Sequence, residues 1–124
     1  MEKISTSGAP AAAGPYSQAI RHRSLVFTAG QIPIDPRTND LAGDDIEKQS
    51  VQVLENLKEV LKASGSSLGR ALKVTVYLSD MENYQKMNEV YAKYFTNRPA
   101  RSTVQAARLP KDVLVEIDVI AACD

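Results

Sequence analysis

The chain has 124 residues, with 15 Lys+Arg against 15 Asp+Glu, so its formal charge is zero when its one histidine, His22, is neutral. At 44% hydrophobic and 24% charged residues it has the composition of an ordinary globular protein with one domain over 1–124, which excludes a disordered tail and a fibrous repeat. The zero balance argues against an overall basic field for phosphate backbones, and Cys123, the single cysteine, excludes an intrachain disulfide and a cysteine-held zinc site.

The first twenty residues carry Glu2 and Lys3 and no long apolar core, so no signal peptide is read. No stretch approaches the ~18 consecutive apolar residues of a membrane span. The expectation is a soluble, cytoplasmic protein with no membrane partner, and a mitochondrial pool is left open.

After a Gly-, Ala-, Ser- and Pro-rich opening from Ser5 to Pro15, residues Tyr16 to Ile20 extend into a strand and Arg21 to Ser24 read as a turn. Leu25 to Ala29 is a strand ending at Gly30, and Pro33 to Gly43 reads as a surface loop. Asp44 with Glu47 offers a capping box, and Gly65 a stop, for a helix whose apolar stripe is Ile46, Val53, Leu54, Leu57, Val60 and Leu61. Leu72, Val74, Val76 and Leu78 alternate with Lys73, Thr75 and Tyr77, the period of a strand with one buried face. Ser79 and Glu82 then suggest a second cap, before a helix in which Tyr84, Met87, Tyr91, Tyr94 and Phe95 recur at helical spacing. These aromatics read as core, because their burial energies are large. Ser102 to Arg108 reads as a short strand, Pro110-Lys111-Asp112 as a break, and Val113 to Ala122 as the longest apolar strand.

Two helices crossing over in the same direction cover one sheet face. The other face carries Leu114 and Ile120 beside Glu116 and Asp118, too apolar for open water and too charged for a dry core. Burial against further copies of the chain, with a wet cleft at the seam, is one reading. A solvated face with scattered apolar residues is the other.

Arg101 starts a strand just after Pro99-Ala100, a stiff point from which a guanidinium can grip a carboxylate through two parallel hydrogen bonds. Glu116 interrupts a strong apolar strand, where burial would raise its pKa and let it exchange protons near neutrality. From the residues alone the two read as a structural ion pair ahead of a catalytic one, since structural pairs perturb titration too. His22 sits between two arginines with no second histidine, so it supports neither a metal site nor a catalytic triad. Gly8, Gly14 and Gly30 lack the spacing of a phosphate loop, and no nucleotide is implied.

Gly14-Pro15-Tyr16-Ser17-Gln18-Ala19, Ala29-Gly30-Gln31-Ile32-Pro33, Asn88-Glu89-Val90-Tyr91 with Tyr94-Phe95, Pro99-Ala100-Arg101-Ser102, and Arg108-Leu109-Pro110-Lys111 leading to Val115-Glu116-Ile117 are together distinctive. In identity, order and spacing they resemble the Rid, or YjgF, family of reactive-intermediate deaminases, in its enamine/imine branch. The resemblance runs from about Ala9 to Ala121. It implies an α+β, chorismate-mutase-like fold: a mixed sheet with two helices on one face, whose last strand inserts between earlier ones. It implies a homotrimeric barrel with clefts between subunits. It also implies hydrolysis of 2-imino acids, released as enamines by pyridoxal-phosphate enzymes, to 2-keto acids and ammonia, with no cofactor and no metal.

Under that resemblance Arg101 clamps the substrate carboxylate and Glu116 activates water and relays protons. Backbone groups of Gly30 and Thr103 help hold the substrate, Tyr16 closes over it, and Asn88 supports it. Ala29 stands where many relatives carry a serine, and Thr103 where many carry a cysteine. Losing a hydroxyl at 29 removes a hydrogen bond worth ~1 kcal/mol. Two other functions compete: a trimer that binds small carboxylates without turning them over, and an endoribonuclease or translation inhibitor. The neutral charge counts against nucleic acid as a partner.

Overall fold

The structure is a computed structural model describing residues 1–124. In chain order the elements are β1 (Glu2–Ile4), β2 (Ala19–His22), β3 (Leu25–Thr28), β4 (Ile34–Asp35), β5 (Asp40–Leu41), α1 (Ile46–Ala63), β6 (Ala71–Leu78), α2 (Tyr84–Tyr94), β7 (Ala100–Gln105) and β8 (Val115–Ala122). Six strands form one sheet in the order β1-β2-β3-β8-β6-β7, and β4 and β5 form a separate hairpin. The last strand therefore lies between β3 and β6, antiparallel to both, while β6 and β7 run parallel. β3 and β6 are thus parallel to each other, and α1 and α2 make two crossovers that step the same way, placing both helices on one face.

Between helices and sheet lies a cluster of 24 buried residues. Val53, Leu54, Leu57, Val60 and Leu61 of α1 are fully buried against Val74, Val76, Val115 and Ile117 of the central strands. At ~25 cal/mol per Å² of apolar area, each such side chain contributes about 1.5–3 kcal/mol, the main term holding helix to sheet. The Tyr94 hydroxyl donates to Glu55 at 2.8 Å and ties α2 to α1. Neither helix is long and apolar enough to cross a membrane.

Several local expectations shift. The second strand begins at Ala19 rather than Tyr16 and takes in Arg21 and His22, so the turn shrinks to Arg23-Ser24, with Arg23 in the left-handed region. The segment before it is strapped down by Gln18, whose buried amide donates to the Thr6, Ala9 and Pro10 carbonyls and accepts from the Thr6 amide. The expected loop from Pro33 to Gly43 contains the β4–β5 hairpin. Asp45, not Asp44, caps α1, accepting from the Lys48 amide at 2.8 Å. The second cap is Asp80 rather than Ser79, and it serves a short 3-10 turn preceding α2.

In β6 a bulge sets two residues, Leu72 and its neighbour, against one step of β8, so Leu72 turns outward, 49% exposed, while Ala71 takes the buried place. β7 spans Ala100–Gln105 rather than 102–108, and β8 starts at Val115 because Pro110–Asp112 forms a tight turn with Lys111 and Asp112 at positive φ.

Candidate functional site

The pairing register decides which side of the sheet each polar side chain occupies. Arg101 and Thr103 of β7 are partnered with Val74 and Val76 of β6, both buried beneath the helices, so Arg101 and Thr103 lie on the helix side at the sheet's edge. Glu116 of β8 is partnered with Tyr77, on the opposite, uncovered face. A structural ion pair between Arg101 and Glu116 within one chain is thereby ruled out. The ion pairs that form are Arg37–Asp35, Lys48–Asp45, Arg70–Asp124 and Arg108–Asp112.

Around Arg101, one face of α2 supplies Tyr84, Asn88 and Tyr91, spaced by four and three residues. The guanidinium carbon stands 4.6 Å from the centroid of the Tyr91 ring and 5.5 Å from that of Tyr84, and Nη2 donates to the Tyr84 hydroxyl at 3.0 Å. Tyr91 in turn packs on Phe95 with ring centroids 4.6 Å apart. Reading the whole aromatic stripe as core is therefore corrected. Met87, Tyr91 and Phe95 are buried, but Tyr84 is exposed, and both tyrosines hold the guanidinium. The Asn88 side chain beside the Tyr84 phenol, and then Arg101, hold that phenol below the usual tyrosine range. Burial pushes Tyr91 up, against a smaller opposing pull from Arg101.

Three buried oxygens here make no hydrogen bond: Asn88 Oδ1, Tyr91 Oη and Thr103 Oγ1. Buried polar atoms without partners are rare in native structures, so three on one side of the sheet set this corner apart from the rest of the core. Beside them opens a pocket of about 590 Å³ lined by Asn88, Tyr91, Phe95, Arg98, Pro99 and Arg101.

The second cluster lies on the open face. Gln31 and Ile117 exchange backbone hydrogen bonds of 2.8 and 3.1 Å, which brings Gly30 against Glu116. A Cβ at Gly30 would stand 2.8 Å from the Glu116 carboxyl carbon, so only glycine leaves that carboxylate its place. Burial first, and the neighbouring Asp118 second, push the Glu116 pKa up. Asp118 is also raised by burial, opposed by the Tyr77 hydroxyl beside it.

Two buried side chains of α1 hold this corner and were not singled out from the sequence. Asn56 donates to the carbonyls of Ile32 and Ile34 at 3.3 and 2.9 Å, and Gln49 accepts from the Leu114 amide at 2.8 Å. One fixes the loop after Gly30 and the other the entry to β8. Their signal was two polar residues seven apart within the apolar stripe. Tyr16 stands apart from both clusters: it is 55% exposed on the loop before β2, its hydroxyl accepting from the Ala13 amide. His22, expected to be solvated, is exposed.

The chain thus presents a guanidinium on an aromatic floor at the edge of one face and, on the other, a half-buried carboxylate whose pKa is raised. The family model described as Endoribonuclease L-PSP matches residues 6–123. A RutC family protein of Pyrococcus horikoshii is 56% identical, over 97% of this chain and 96% of its own length. A 2-iminobutanoate/2-iminopropanoate deaminase of Salmonella typhimurium is 45% identical, over 95% of this chain and 94% of its own. Among solved structures, Escherichia coli TdcF with bound serine superimposes with a TM-score of 0.95 at 42% identity, covering all of both chains. With a family model spanning nearly the whole sequence and full-length relatives near half identity, the chain belongs to the Rid/YjgF family.

Proposed function

We propose that the protein hydrolyses short 2-imino acids to 2-keto acids and ammonia, as one domain per chain assembled into a homotrimer, with each site completed between copies. The observation that carries this reading is the pair of prepared but opposed groups. Arg101 and Glu116 each occupy a built niche, yet they lie on opposite faces of one sheet, so they can act on one small molecule only across a contact between chains. The deaminase name of the Salmonella relative supports the reaction class, and the serine bound to TdcF supports a site for a small amino-acid-like carboxylate.

The residues divide the chemistry. Arg101 clamps the substrate carboxylate through two parallel hydrogen bonds and thereby sets the position of the imine carbon. That carbon is already electrophilic, so the step needs a placed water and a proton relay. Glu116 takes a proton from the water as its oxygen bonds to the carbon of the protonated imine and the C=N π pair passes to nitrogen, and Glu116 then gives that proton to the nitrogen of the resulting amino alcohol. The C–N bond then breaks, ammonia leaves, and the carbonyl forms as the hydroxyl gives up its proton. The Gly30 and Thr103 backbone groups hold the substrate, Asn88 supports it, and Tyr16, exposed on the loop before β2, closes over it.

The test is ammonia release from freshly generated 2-aminoacrylate, in a coupled serine dehydratase assay with and without the protein. Arg101→Ala should abolish the acceleration while leaving the assembly folded. Normal turnover in that variant refutes the clamp, and an unaccelerated assay with the parent protein refutes the activity.

A further inference from the structure

Arg101 makes one hydrogen bond within the chain, from Nη2 to the hydroxyl of Tyr84, while its Nε and Nη1 edge is left without a partner. A guanidinium at the end of a long stem has two freedoms to lose before it can meet a carboxylate squarely: the tilt of its plane and the rotation within that plane. Stacking over Tyr91 at 4.6 Å limits the tilt but is indifferent to rotation, because the ring face is nearly uniform. A single hydrogen bond at one corner stops the rotation. Arginine only donates, so the phenol oxygen must accept, and the phenol keeps its own proton to offer elsewhere.

Tyr84 is well placed for this task. It opens α2, directly after the short 3-10 turn capped by Asp80, and is exposed, so its conformation is set by Arg101 and Asn88 rather than by core packing. Sequence periodicity gave it no such role.

We propose that Tyr84 is a positioning residue for the carboxylate clamp: its hydroxyl holds Nη2 so that the Nε and Nη1 edge of Arg101 faces the substrate, making the site selective for a planar, bidentate anion. This rests on reading Arg101 as the clamp. Tyr84→Phe keeps the ring and removes only the acceptor.

Two measurements test it in the full chain: KM and kcat for 2-aminoacrylate-derived imine, and the dissociation constant of pyruvate by calorimetry. Losing one hydrogen bond corresponds to about a fivefold change, so KM and the pyruvate constant should both rise about fivefold while kcat changes little. Preference for pyruvate over its amide should fall by a similar factor, which a merely structural role would not produce. If Tyr84→Phe leaves KM and pyruvate binding within a factor of two of the parent while Arg101→Ala destroys binding, the role of Tyr84 is wrong and the clamp stands. If Arg101→Ala itself leaves pyruvate binding intact, the clamp and the inference fall together.

Discussion

Gly30→Ala separates the stability of this fold from its chemistry. The new Cβ would stand 2.8 Å from Glu116 Cδ and 3.1 Å from Cγ, inside normal contact distance. Gly30 is not among the residues at positive φ, so the whole penalty is steric. The atoms it meets are the end of a flexible, half-buried side chain, and the cheap response is for Glu116 to leave its rotamer while the backbone stays. That costs about 0.5–1.5 kcal/mol. In a domain of this size it lowers Tm by about 2–6 °C. Restoring contact distance moves the carboxylate by about an ångström, and misplacement on that scale costs about a hundredfold in rate. Differential scanning calorimetry and the ammonia assay on the same preparation should therefore disagree: a protein almost as stable as the parent with about one per cent of its kcat/KM. Activity within threefold of the parent would refute the assignment of Gly30 and Glu116 to one site.

The remaining expectations are simpler. Asp118 ranks second, after burial, among the causes that raise Glu116, so Asp118→Asn should let Glu116 ionise at lower pH and move the acid limb of the pH–rate profile downward; an unmoved limb would show that burial alone sets this carboxyl. Asn56→Ala takes the donor from the Ile34 carbonyl and one of two donors from the Ile32 carbonyl, which keeps the Ile34 amide, and should cost about 1–3 kcal/mol, seen as a lower urea midpoint. Asp45→Ala should cost about 1 kcal/mol by the same measurement, and Asp44→Ala much less, because only Asp45 caps α1.

Local chemistry made much of this legible. The buried stripe of α1, the alternation in β6 and β8, and the anomaly of Glu116 in an apolar strand follow from periodicity and the cost of burying charge. What escaped depends on pairing across the sequence. Leu72 looked like a core residue because alternation is blind to a bulge, which exists only relative to the register of β8. Tyr84 looked like core, as Tyr91 is, because helical spacing says which residues share a face, not what lies under it. Toward Met87 and Phe95 that face meets the hydrophobic core, and at Tyr84 it overhangs the edge strand and its arginine. Arg101 and Glu116 could be named singly, but their opposition follows from β8 and β7 flanking β6 with fixed registers, which no single segment encodes.

That opposition yields a test needing no structure of the assembly. If every site takes Arg101 from one copy and Glu116 from another, chains carrying Arg101→Ala and chains carrying Glu116→Gln are each inactive alone, since each pure assembly lacks one group at every site. Unfolded together in equal amounts and refolded, they assemble at random. A site is then intact when its arginine comes from the Glu116→Gln chain and its carboxylate from the Arg101→Ala chain, a joint chance of about one quarter in any closed ring with cross-chain sites. Ammonia release should therefore recover to about a quarter of the parent rate, and should fall again as either variant is mixed in excess. A site built within one chain gives no recovery at any ratio, because every chain still lacks one of the two groups. Zero activity across the mixing series, with assembly verified by light scattering, would mean that the two side chains never meet across copies, and the faces on which β7 and β8 present them would then need another explanation.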